Sequence, residues 1–239
     1  MIKSIAVINK STVVNATDFN KMVIACNLQL SRDVAPVWSR IALSVTAYAN
    51  ETLVPVGAAK VYIFDNADQA GALGYHSETV GGSVFGKVFA KTITDYGLPV
   101  IYDSRNKNSI TVSSVLSHEV IELFVNPYVE LWADGPTIPE GNEYAFEACD
   151  AVEGDMYQVT VTVTSGRNTT TSIVSVSNFL YPEYFDTAST SRTKMDYMGK
   201  ITAPCTLSTN GYMIVRTGNN ETAVYGATYP KVLKEYNKL

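Results

Sequence analysis

Residues 117–122 read Ser117-His118-Glu119-Val120-Ile121-Glu122, and whether this stretch is a helix decides the fold. His118 and Glu122 are four apart, so at 3.6 residues per turn they share a face and can hold one divalent ion. Glu119, beside His118, is placed to handle a proton. The pattern is a His-Glu-x-x-His metal helix in which a glutamate replaces the second histidine. Its flanks support a helix over 110–124: Val115, Leu116, Ile121, Phe124 and Val125 supply apolar surface, and Asn126-Pro127 closes it. A competing reading makes the pentad fortuitous, with His118 hydrogen-bonded in a core and both glutamates in water.

Working outward, residues 4–10 read as a short strand, and Asn15-Ala16-Thr17-Asp18 offers caps for a helix over 18–34 that Pro36 ends. Residues 41–49 and 60–64 follow as strands, the second running into a turn-rich segment at 65–71. Residues 86–91 form an alternating strand whose lysines, Lys87 and Lys91, suggest an exposed face or a sheet edge. A loop at 134–142 precedes an acidic stretch, 143–150. From 156 the texture is β, with hairpins at 157–164/171–179 and 211–217/222–227. The expected class is α+β: a mixed sheet plus the motif helix over 1–155, then a β-hairpin-rich part over 156–239 packed on it as one continuous domain.

A hydrophobic content of 46% with 17% charged residues describes a folded chain with a substantial core. The net charge of -5, without a Lys/Arg cluster, argues against nucleic acid as a partner. The first ten residues are too short an apolar run for a signal segment, and no stretch approaches a membrane span. Cys26, Cys149 and Cys205 are odd in number and widely spaced, which suits buried reduced thiols; Cys149 stands apart only for its acidic neighbours. Asp65, Asn66 and Asp68 form an oxygen-rich group that reads as turn chemistry, since it lacks calcium-loop spacing. Trp38 reads as core, and Tyr181, Tyr184 and Phe185, interleaved with Pro182 and Glu183, as an exposed contact loop.

Several blocks, in this order, resemble an uncharacterised zincin-like family of bacteria and tailed bacteriophages. They are Asp33-Val34-Ala35-Pro36-Val37-Trp38, the segment from Asp65 to His76, Gly86-Lys87-Val88-Phe89-Ala90, Ser117-His118-Glu119 with Glu122 and Asn126-Pro127, Glu147-Ala148-Cys149-Asp150, and Val176-Ser177-Asn178-Phe179 with Tyr181-Pro182. Asn126 stands where the family pattern has aspartate. The resemblance implies a zincin-like fold, with 86–91 in the place of the substrate-aligning edge strand, and a metal site.

A catalytic zinc has three protein ligands and one open position. His118 and Glu122 supply two. Glu147 is the favoured third, because gluzincins bring a glutamate from a later helix; Glu143, Glu153 and Asp155 compete with it. Asp150 completes the group by orienting His118. His76, the only other histidine, is a ligand or an oxyanion stabiliser, a role open also to Tyr75 and Tyr144. The ion is Zn2+, with Ca2+ and Mn2+ admitted by the harder carboxylate set. The implied function is a virion-associated metallopeptidase in which Glu119 activates water against a peptide substrate. The alternative is a structural or assembly component with a vestigial metal site. Partners are then other virion proteins or further copies of the chain. The location is the phage particle, made in the host cytoplasm, or else the bacterial cytoplasm.

Overall fold

The computed structural model describes residues 2–69, 72–135, 141–166, 168–189 and 193–228. Ala70 and Gly71 of the expected turn, residues 136–140 of the expected loop and Arg167 at a hairpin tip lie outside them. The first half alternates: β1 (Ser4–Asn9), α1 (Ala16–Gln29), α2 (Ala35–Val37), β2 (Val45–Tyr48), β3 (Ala58–Phe64), β4 (Gly74–Glu78), β5 (Val84–Phe89), α3 (Ala90–Thr94) and α4 (Val112–Val125). The second half is almost all β: β6 (Trp132–Asp134), β7 (Asn142–Ala145), β8 (Met156–Ser165), β9 (Asn168–Ser177), β10 (Tyr212–Thr217) and β11 (Asn220–Tyr225). The α+β class is as expected from the sequence.

A mixed five-stranded sheet in the order β2-β1-β3-β5-β4 forms the base. Ile5, Ala6, Val7 and Ile8 of β1 are fully buried, the continuous apolar run expected of a parallel strand covered on both faces. The lysine-bearing strand β5 is interior: it pairs with β3 in parallel and with β4 in antiparallel register. The edge is β4, which carries His76, so the edge position expected for 86–91 belongs to 74–78. Lys87 is accommodated because its ammonium reaches out to Asp68 and to the Tyr75 hydroxyl.

α1 starts at an Asn15 cap that accepts from the Asp18 amide at 2.9 Å. The helical path continues beyond α1 and through Pro36. A wider turn over Leu30–Val34, in which the Ala35 amide reaches the Leu30 carbonyl, leads into α2 with Pro36 in its first turn. Such a bulge accommodates proline's missing donor and ring. The strand expected at 41–49 shortens to β2, leaving Ile41 exposed.

α4 is capped by a reciprocal pair: the Ser114 amide donates to Thr111 Oγ1 and the Thr111 amide to Ser114 Oγ, each at 2.9 Å. All of its residues except Val115 are buried. A helix covered all round must lie in the core, and α4 packs on β3, β4 and β5 on one side and on α1 and β9 on the other. Leu116, Val120 and Leu123 have no exposed surface, each contributing about 1.5–3 kcal/mol of burial. Its serines are tied to the hairpin β8–β9: Ser117 Oγ accepts from the Ser177 amide at 2.7 Å and Ser113 Oγ donates to the Ser175 carbonyl at 2.6 Å.

A second sheet, β11-β10-β7-β6, draws strands from both sides of residue 155. Trp38 is buried as expected, with Phe146 edge-on at 5.9 Å. The segment read as an exposed contact loop is instead core: Tyr181, Tyr184 and Phe185 are buried, and Phe185 stacks on Phe146 at 3.9 Å.

Candidate metal centre

Three elements deliver polar side chains to one cleft. α4 presents His118, Glu119 and Glu122 on the face not occupied by its leucines, and β4 brings His76 across from the edge of the first sheet. The chain leaving β7 brings Glu147, Cys149 and Asp150, the last opening a short 3-10 turn over Asp150–Val152. Glu147 therefore comes from an irregular segment, not from the later helix expected for it. The cleft has a volume of about 340 Å³ and opens between β4 and the second sheet. Among the described residues, its lining contains six acidic side chains and neither lysine nor arginine.

Glu119 and Glu122 are each 3% exposed and His118 8%, which rules out the reading that leaves both glutamates in water. His118 Nε2 lies 3.1 Å from Glu122 Oε2 and 3.2 Å from Asp150 Oδ1. Because Asp150 faces the same ring nitrogen as Glu122, it stands on the ligand side of His118 and does not orient the ring from behind. His76 Nδ1 lies 3.5 Å from Glu122 Oε2 and 3.6 Å from Glu119 Oε2, while its Nε2 is 3.1 Å from the Asn126 carbonyl and 3.7 Å from Glu147 Oε2. Asn126 also donates to Glu147 Oε1 at 3.3 Å, and the Cys149 amide to Glu122 Oε1 at 3.1 Å.

A carbonyl can only accept, so His76 Nε2 carries the proton of that bond. Neutral His76 then directs a lone pair from Nδ1 at two carboxylate oxygens, an arrangement that requires either a proton or a cation between them. Glu119 Oε2 and Glu147 Oε2 are buried and have no hydrogen-bond partner.

Without a cation, protons must fill this role. Burial would lower His76 and His118, yet both are raised well above the usual imidazole value, His76 chiefly by Glu119 and Glu122 and His118 by Glu122 and Asp150. Burial pushes Glu122 up, but the two imidazoles hold it well below the carboxylate range. Burial raises Glu119 and Glu147, with Glu122's charge adding to both, and pushes Asp150 up to about 6. The same burial lifts the Cys149 thiol well above its ordinary range.

Among the described residues, two groups of ligand atoms lie within 4.8 Å of one another: those of His118, Glu122 and Cys149, and those of His76, Glu122 and Glu147. A tetrahedral ion with bonds of about 2.1 Å separates its ligands by roughly 3.4 Å, and the imidazole–carboxylate distances in the cleft, 3.1–3.7 Å, are close to that. The residues present fit a divalent metal. Every residue singled out as a metal or proton-handling group, namely His76, His118, Glu119, Glu122, Glu147 and Asp150, reaches the cleft.

The competing acids mostly do not. Glu143 pairs with Arg216 at 2.8 Å, and Asp155 accepts from Ser208 and Asn210; Glu153 alone lines the cleft. Of the tyrosines, Tyr75 lines the cleft, though its hydroxyl is bound to Asp68 and Lys87, and the Tyr144 ring lies against Gly135. The tyrosine that lines the cleft and bonds Asp150 is Tyr212. Cys149 is a buried free thiol like Cys26 and Cys205, but it belongs to a ligand group. Its place in a ligand group has one sequence signal, its adjacency to Asp150 and near-adjacency to Glu147. Comparison with protein-family models, curated proteins and solved structures produced no match.

Proposed function

We propose that the chain is a zinc-dependent hydrolase acting on peptide bonds, with His118 and Glu122 as ligands from α4 and Cys149, Asp150 and Glu147 as the groups from which the set is completed. The observation that carries this is Glu119 Oε2: a carboxylate oxygen in the wall of a cleft, buried without a hydrogen-bond partner, one residue from His118. An oxygen so placed costs a few kcal/mol unless something else uses it. A bound divalent ion supplies Lewis acidity and lowers the pKa of water. Glu119 then accepts a proton from the attacking water, its raised pKa bringing it nearer the operating pH. The Asn126 carbonyl keeps the His76 proton on Nε2, which leaves the Nδ1 lone pair 3.6 Å from Glu119 Oε2, an approach that favours the protonated form of Glu119. The cleft volume lies in the range of small-ligand sites.

The hydrolytic reading also draws on the family resemblance, and the location in a phage particle rests on that resemblance alone. Glu119→Gln should retain metal while losing about 10²–10⁴-fold in rate, measured as cleavage of an unstructured protein such as casein alongside elemental analysis. A zinc-loaded wild-type chain that cleaves no member of a broad peptide library would sink the reading. So would a Glu119→Gln variant as active as its parent.

A further inference from the structure

We propose that the cleft holds two divalent ions, with the Glu122 carboxylate shared between a position at His118 and Cys149 and a second at His76 and Glu147. The inference rests on the metal-site reading above and extends it from one ion to two. Each of the two ligand groups has its own imidazole, and Glu122 is their common member. Glu122 Oε2 is within 3.1 Å of His118 Nε2 and 3.5 Å of His76 Nδ1, so a single carboxylate reaches both nitrogens.

A site for one ion would leave the second group unexplained. Glu147 is 9% exposed and its Oε2 has no hydrogen-bond partner, although Asn126 holds its other oxygen in place. The lone pair of His76 Nδ1 has no donor to meet, since the groups facing it are the Glu119 and Glu122 oxygens. Both atoms are thus positioned as ligands are, each fixed by a hydrogen bond on its far side from Asn126.

Charge points the same way. Glu119, Glu122, Glu147 and Asp150 are all buried, and among the described residues no lysine or arginine lines the cleft. With neutral imidazoles the four carboxylates carry four negative charges, and Cys149 adds a fifth when it ligates as thiolate. One divalent ion leaves three of these buried charges uncompensated; two ions leave one. Two-metal hydrolytic sites space their ions by about 3.5–4 Å, a separation that a shared carboxylate spans. The donor sets also differ. A thiol beside His118 favours Zn2+, whereas the nitrogen-and-carboxylate set at His76 accepts Mn2+ as well.

The test is metal stoichiometry of the full chain, stripped with chelator and titrated with Zn2+ by calorimetry, then dialysed and measured by elemental analysis. Two ions per chain are expected. His76→Asn and Glu147→Gln should each reduce the count to one, and Cys149→Ser should weaken only the other ion, with circular dichroism confirming the fold. Loading with Co2+ should give a thiolate-to-cobalt absorption band that Cys149→Ser removes and His76→Asn keeps. A wild-type chain that saturates at one ion overturns the second position and leaves the hydrolase reading standing. No bound ion overturns both.

Discussion

Two acidic groups, one in the turn after β3 and one in the cleft, have opposite fates. At the turn after β3, Asp65 accepts from Ser11 Oγ at 2.6 Å, from the Thr12 amide at 2.8 Å and from Thr12 Oγ1 at 2.6 Å, while Asp68 takes the Lys87 ammonium and the Tyr75 hydroxyl. Its negative charges are met by donors of the chain, and Asp68 is exposed to water as well. In the cleft, four buried carboxylates share two imidazoles, and two oxygens have no partner. Acidic residues alone do not indicate a cation site; the missing donors do. The turn is complete as folded, whereas the cleft is complete only with protons or metal.

The largest effect that would sharpen this contrast is expected from Glu122→Gln. The amide keeps the shape but loses the charge that both imidazoles face. Bound metal should fall to background and hydrolysis by at least about 10²-fold, read by elemental analysis and peptide cleavage. Full metal content in this variant would break the comparison, because the cleft would then bind its ions without its central carboxylate.

A smaller effect is expected at Gly74, where β4 runs closest to α4. A Cβ there would lie 2.6 Å from Glu119 Oε1 and 2.8 Å from Val115 Cγ1. Gly74→Ala should cost about 1–3 kcal/mol of stability by overpacking, and the displaced Glu119 should lower the rate more than it lowers metal content. Denaturant melts and turnover together test this. A variant as stable and as active as wild type would mean that β4 is not held against Glu119.

Removing metal should expose the protons that replace it. In the folded, chelated chain His76, His118, Glu147 and Asp150 all have raised pKa values, Asp150 at about 6. The folded state then binds more protons than the unfolded state, so stability falls as pH rises. Asp150 acts between about pH 4 and 6, and the histidines above about 6.5; Glu122, depressed, acts only in acid. The melting temperature of the chelated chain should decline from pH 6 to 9, with a shallower decline when metal is present. A chelated chain more stable at pH 9 than at pH 6 would contradict the proton-filled site.

Much of this contrast was legible in the sequence, and the exceptions have a common cause. α4 declares itself through local period and caps, and its motif places three polar groups at once. The strand that completes the site, Gly74–Glu78, is short and poor in β-branched residues, and it is defined by its pairing with β5. Strands β6 and β7 form because Glu143 and Tyr144 meet Arg216 and Val215 far along the chain. Lys87 suggests an exposed face or an edge when a charged side chain is taken to need water beside its own strand, whereas it reaches Asp68 from an interior strand. Tyr184 and Phe185 read as exposed beside Pro182 and Glu183, but Phe185 closes over Trp38 and Phe146, a contact between distant segments, and Tyr184 packs edge-on against Phe185. In sequence Cys149 differs from Cys26 only by its acidic neighbours; its place against α4 follows from the path of the chain leaving β7.

The smallest expected effect tests the other side of the comparison. Asp65→Asn leaves one oxygen to accept from Ser11 and Thr12 and removes the charge, in a site partly open to water. The loss should be about 1 kcal/mol, or roughly 2–4 °C in melting temperature for a chain of this size. Metal content and hydrolysis should not change, and calcium should not raise the melting temperature of the wild-type chain. If calcium does stabilise the wild type and Asp65→Asn abolishes that gain, the turn is a cation site in its own right. Donor satisfaction would then no longer separate the two acidic groups, and the unpartnered oxygens of Glu119 and Glu147 would lose their value as the mark of a missing ion.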